Sequence, residues 1–144
     1  MEYRQRFRGR ACRLLVTTLA IAGATALPAQ ASVSIPAASC LELDATAQAL
    51  VDLHNLGPAN PASELRNRWS TLQGLQTALA ANRAIKTLAA MPQVGSSWRA
   101  LESTYQSLPA DSALESMHQR LLAPMQAYRQ ALNALITSIT SCQP

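Results

Sequence analysis

The chain reads as an all-α protein: a small antiparallel bundle of about four helices whose two ends are joined by a disulfide. Three observations predict this. Beyond residue 31 the sequence is rich in Ala, Leu, Gln and Ser and poor in β-branched and aromatic residues, a composition that favours helix. Its apolar residues recur at steps of three and four, with glycines and prolines mostly between the periodic stretches. Two cysteines, Cys40 and Cys142, flank the periodic region. An up-down-up-down order of four helices returns the chain to the end where it began, and so brings those cysteines together.

Taken in order, Ser32 to Ser39 reads as an irregular lead-in. A first helix is predicted from about Cys40 to Leu56. Leu43, Ala47, Leu50 and Leu53 form its stripe, and Gly57-Pro58 ends it. Glu42 and Asp44 then fall in its first turn, where the helix dipole favours acids. Their spacing of two points them to different sides, so they do not read as an acid/base pair.

A second helix opens with Asn60 as cap and Pro61 at the first helical position. Leu65, Trp69, Leu72, Leu75 or Gln76, and Leu79 carry its stripe, which continues through Ile85 and Leu88 to Met91-Pro92. Gly74 and Asn82 are its weak points. A third, short helix starts at Gly95-Ser96-Ser97, carries Trp98, Leu101, Tyr105 and Leu108, and closes at Pro109. Both tryptophans sit at helical spacing and read as core.

The last helix has the clearest pattern. Ser112 and Glu115 have capping-box spacing. Leu114, His118, Leu121, Met125, Tyr128, Leu132, Leu135, Ile139 and Cys142 then follow at steps of three and four, a seam suited to antiparallel packing. Pro124 should kink or split this helix, because it lacks an N–H donor and its ring clashes with the preceding turn. The second and fourth helices come out nearly twice as long as the others. Breaks are therefore expected at Pro124 and near Gly74 or Asn82.

Residues 1 to about 31 read as a cleavable secretory signal. Arg4, Arg6, Arg8, Arg10 and Arg13 form a basic start, Leu14 to Leu27 carries no charge, and Pro28 precedes the small-x-small triplet Ala29-Gln30-Ala31. Cleavage is placed after Ala31, with Ala24-Thr25-Ala26 as the second choice. The apolar run is about 14 residues, short of the ~20 a spanning helix needs. The protein is thus expected to be secreted or periplasmic, with no membrane span in the mature chain and residues 32–144 as one helical domain. Cys12 would leave with the signal, so Cys40 and Cys142 have only each other to pair with in an oxidising compartment. No Cys-x-x-Cys pair suggests redox chemistry. A lipid anchor at Cys40 lacks the large aliphatic residue expected three positions upstream, where Ala37 stands.

Charge follows from the same division. The full chain carries +4. Beyond residue 31, Arg66, Arg68, Arg83, Lys86, Arg99, Arg120 and Arg129 balance Glu42, Asp44, Asp52, Glu64, Glu102, Asp111 and Glu115. The basic footprint of a nucleic-acid binder is absent from that region.

Candidate chemistry is sparse. The sequence holds no Gly-x-Ser-x-Gly elbow, no His-Glu-x-x-His, no glycine-rich phosphate loop and no Cys-x-x-Cys-His haem attachment. No catalytic residue, metal site or cofactor is assigned. A bundle with Cys40 opposite Cys142 puts His54 opposite Tyr128 and one turn from Met125. These three form a candidate ligand pocket, in which His54 and Met125 resemble the imidazole–thioether pair that ligates haem iron. The bland reading has His54 hydrogen-bonded to Tyr128, with Met125 filling a gap. In that register His118 lies ~15 Å from His54, too far to share a metal unless a kink at Pro124 folds the chain back.

The remaining candidate is a surface. After Glu115 the last helix carries Gln119, Arg120, Gln126, Arg129, Gln130 and Asn133, with no acid among them. This mildly basic, amide-rich face suits a protein partner, or a second copy of the chain, if it is more than a solvated helix face. The expected function is a non-enzymatic binding or accessory protein of the cell envelope. The alternative is a small-ligand or haem-binding bundle.

Overall fold

A computed structural model describes residues 32–57, 59–110 and 112–144. The expected leader, residues 1–31, lies outside the described residues. Strand β1 (Ser34–Pro36) leads into helix α1 (Ala37–His54), followed by α2 (Ala62–Ala81), α3 (Met91–Gln106), α4 (Leu114–Ser138) and strand β2 (Ser141–Gln143). The protein is thus mostly helical, as composition and periodicity predict, with one addition. The two short strands pair in parallel, with Ser34, Ile35 and Pro36 in register with Ser141, Cys142 and Gln143.

Parallel neighbours need a long crossover, and here the crossover is the whole four-helix region. Val33 O takes the Thr140 N–H at 2.8 Å and the Thr140 hydroxyl at 2.7 Å, and the Ser34 and Ser141 hydroxyls meet at 2.8 Å. Ile35 is buried beneath the pairing. Cys40 and Cys142 form the expected disulfide beside it, with Cα atoms 6.2 Å apart. Three-residue strands show no alternation that periodicity can detect, and this is why residues 32–39 read as irregular.

Several boundaries differ from expectation, each for a local reason. Helix α1 starts at Ala37, immediately after Pro36, whose ring cannot continue a helix backwards. Glu42 therefore lies beyond the first turn, which holds no acid. Its carboxylate instead accepts a hydrogen bond from Asn82 Nδ2 at 2.8 Å. Asn60 does not cap α2. Its Oδ1 accepts the Gly57 N–H at 2.9 Å, closing the preceding turn, and Pro61 takes the cap position.

Helix α2 runs through Gly74 and stops at Ala81, well before Met91. Asn82 accounts for the stop: its Oδ1 accepts the Ala84 N–H at 2.9 Å, offering the backbone a turn in place of the helix ladder. Turns from Asn82 to Ala90 still bury Ile85. Met91 then begins α3, with Pro92 inside its first positions. Pro92 starts a helix where it was expected to end one. Ser112 falls one residue outside the cap position, which is Ala113, so no capping box forms. Pro124 does not split α4, which is continuous over 25 residues. Helix α4 ends at Ser138, so Cys142 belongs to the returning strand rather than to the seam.

The seam itself is buried as read: Leu114, Leu121, Met125, Tyr128, Leu132, Leu135 and Ile139 all face the core, and His118 is half-buried. All four helices contribute to one apolar cluster. Within it Trp69 stacks on Trp98 (centroids 5.1 Å apart) and on the half-buried Tyr105 (4.0 Å), and Trp98 tilts against Tyr128 at 5.4 Å. Such pairs add about 0.5–1.5 kcal/mol each beyond their burial.

Two contacts tie opposite ends of α1 to α2. Ser39 and Glu42 meet Asn82, just past the end of α2. Asp52 O accepts Arg68 Nη1 at 2.9 Å near its start, while Arg68 Nε also binds Glu64 at 2.8 Å. No described helix is long and apolar enough to cross a membrane.

Candidate functional site

Helix α1 ends at His54, whose side chain is exposed. Beside it lies a shallow cleft of about 170 Å³ lined by Leu50, Val51, His54, Asn55, Met125, Gln126 and Arg129. The cleft joins two of the three expected ligand residues, His54 and the buried Met125, with two members of the expected surface, Gln126 and Arg129. Its base is aliphatic and its rim carries an imidazole, two amides and a guanidinium.

Tyr128 does not line the cleft. It is fully buried, and its hydroxyl donates to Gln76 Oε1 instead of meeting His54. Burial holds this phenol protonated well above the ordinary tyrosine range. Gln76 is itself buried on α2, so the pair satisfies two polar groups that would otherwise be stranded in the core. Tyr105 is shifted the same way by partial burial, against the opposing charge of Arg66.

The residue that meets His54 is His118, ten positions before Tyr128. The two rings lie 6.0 Å apart, tilted by 51°, and His118 Nε2 sits 2.7 Å from the His54 carbonyl oxygen. The expected separation of ~15 Å is therefore wrong. That register took Cys142 as a helical residue opposite Cys40. In the structure α4 ends at Ser138 and Cys142 lies on β2, whose parallel pairing with β1 brings it to Cys40, so the disulfide does not fix how α4 registers against α1. The sequence carries no signal strong enough to reveal this, since Ile139 and Cys142 keep the step of three.

The outer side of α4 forms a continuous strip. At 100° per residue Gln119, Gln126, Gln130 and Asn133 share one face, while Arg120 and Arg129 lie along its two edges. All are exposed except Asn133, which is half-exposed. Exposed Ala123, Ala127 and Ala134 keep the strip flat, and Leu122, 38% exposed, adds one large apolar side chain. Among the described residues no group of three or more His, Cys, Asp or Glu side chains comes together.

No protein-family model matches the chain, and no curated protein or solved structure matches it. Function rests on the geometry alone.

Proposed function

We propose that this chain is an exported, non-enzymatic binding or accessory protein of the cell envelope, docking through the outer strip of α4 on a protein partner. The observation that carries the reading is that strip: amide-rich, largely exposed and without a carboxylate from Gln119 to Asn133, with an arginine on either edge. Interfaces favour Arg and disfavour Lys, Glu and Asp. After Glu115, α4 has two arginines and none of the others. The partner is then a surface rich in carbonyl and amide groups, with carboxylates placed for Arg120 and Arg129.

Export is supported by the basic, then apolar, then small-residue order of residues 1–31 and by the disulfide, which persists outside reducing compartments. The reading also takes the helices as up-down-up-down. The contacts of Asn82 with Ser39 and of Arg68 with Asp52 support that order for the first pair.

A photo-crosslinking residue placed at Gln126 or Gln130 in the producing cells tests the proposal. A single discrete adduct is expected, lost in R120E/R129E and not formed from exposed Ala80 on α2. An adduct of twice the chain's own mass would make the partner a second copy. Equal yields from α4 and α2, or turnover of a substrate by the purified protein, would overturn the reading.

A second reading, a small-ligand carrier, is favoured by His54 and Met125 sharing one cleft. At about 170 Å³ the cleft falls short of the ~300–1,000 Å³ typical of pockets for drug-sized ligands, and so of a haem. A visible absorption spectrum of the protein from its native source separates the haem form of this reading from the first.

A further inference from the structure

We infer that His54 and His118 form a two-imidazole binding site for a late first-row transition-metal ion, with Cu(II) the preferred guest. The site is independent of the α4 strip and stands whether or not that strip docks a partner. Two features of the pair carry the inference.

The first is distance. An ion ~2.0–2.1 Å from one nitrogen of each of two imidazoles holds the ring centres roughly 5–6 Å apart. The rings of His54 and His118 are 6.0 Å apart without any ion. His54 is the exposed partner, so a small side-chain rotation closes the difference at little packing cost.

The second is tautomer. A carbonyl oxygen only accepts, so His118 Nε2, 2.7 Å from His54 O, must carry the proton. The neutral ring then has its lone pair on Nδ1. Metal-binding histidines are commonly oriented in this way, one nitrogen donating to a carbonyl while the other is left to coordinate.

No third His, Cys, Asp or Glu joins the pair among the described residues, so water completes the coordination. With two nitrogen ligands and no thiolate or carboxylate, the order of divalent affinities puts Cu(II) above Ni(II) and Zn(II). Met125, buried at the base of the cleft, is not required.

The test is a Cu(II) titration of the oxidised protein as the cell yields it, any free thiol alkylated beforehand so that it neither binds nor reduces the ion. Electron paramagnetic resonance reads stoichiometry and nitrogen coupling. One copper per chain with coupling to two imidazole nitrogens is expected. His54→Ala and His118→Ala should each weaken binding by at least the ~10-fold seen when an outer-shell partner is lost. His118→Gln, which retains an N–H donor for the His54 carbonyl, should keep the fold and lose the copper site equally. Copper bound with the same affinity in all variants, as at the chain's own amino terminus, would overturn the inference. So would a protein that takes up no copper, or coupling to a single nitrogen.

Discussion

Reducing the Cys40–Cys142 disulfide should cost about a third or more of the stability of this fold. The bond closes a loop of 102 residues. In the chain-entropy model, cross-linking a loop of that length removes about 4.7 kcal/mol of freedom from the unfolded ensemble. A protein of this size has a total stability of only about 5–15 kcal/mol, so the bond is about a third or more of that margin. Over residues 32–144, at ~2.1 cal/mol/K per residue, the same loss lowers Tm by roughly 20 °C. Chemical reduction is the cleanest perturbation, because it leaves the buried Cys40 side chain in place. Urea unfolding followed by far-UV circular dichroism, with and without reductant, measures the effect. The midpoint should fall sharply, and the slope should rise modestly as the reduced unfolded chain expands. A loss below ~1 kcal/mol with the thiols fully free would refute the reasoning. It would mean that the strand pairing at Val33–Pro36 and Thr140–Gln143 already holds the chain ends together in the unfolded ensemble.

Tyr128→Phe should destabilise by about 1–3 kcal/mol by stranding Gln76 Oε1 in the core. Combined with Gln76→Leu the loss should be smaller than the sum of the two single changes, which a double-mutant cycle by urea unfolding would show. The same phenol makes the protein alkali-sensitive. Its folded-state pKa is raised above the unfolded value near 10, so its contribution is fully present below pH ~10 and is lost as pH rises toward the folded value. Absorbance at 295 nm should report a tyrosine that ionises only as the fold opens, and Tyr128→Phe should flatten the alkaline fall in stability. Asn82→Ala removes the bonds to Ser39, Glu42 and the Ala84 N–H together. It should cost about 1–3 kcal/mol in thermal or urea melts, and full wild-type stability would show that the node is solvent-exchangeable. Pro124→Ala restores a donor for the Arg120 carbonyl and should stabilise α4, by up to ~3 kcal/mol; a loss instead would mean that the seam requires the proline's bend.

What was legible in the sequence is whatever rests on periodicity across many residues. The seam of α4 was readable because six apolar side chains repeat along one face of a 25-residue helix, with Ile139 just past its end. The disulfide was readable because elimination left one pairing. Misread features turn on a single side chain choosing between two local partners. Asn60 binds Gly57 rather than capping α2, and Asn82 binds Ala84 and so ends α2 nine residues before Pro92 could. Ser112 and Glu115 keep capping-box spacing, yet the helix begins one residue too late to use it. Propensity does not resolve such choices, because both alternatives are ordinary turn chemistry. The candidate site suffered most, since facing residues depend on register, and register was taken from Cys142 as a helical residue when it lies on β2.

The distribution of cross-links along α1 connects these points. Its first turns are held by the disulfide, by the pairing of β1 with β2 and by Asn82 bonding to Ser39 and Glu42. Its last turn is held across elements by Arg68 on the Asp52 carbonyl and by His118 on the His54 carbonyl. One end is covalently closed, while the other is held by these two hydrogen bonds and by the burial of Leu50, Leu53 and Leu56. Local opening concentrates where contacts are few and backbone bonds are reachable by water. The end carrying the two histidines, which has no covalent tie, is therefore expected to open before the other, as hydrogen exchange would show. A metal ion joining His54 to His118 binds only while α1 and α4 are docked, so it stabilises the docked form in proportion to the logarithm of its concentration over its dissociation constant. Occupancy of that site would close the end of the bundle opposite the disulfide and hold the lower part of the α4 strip, from Gln119 to Gln126, against α1.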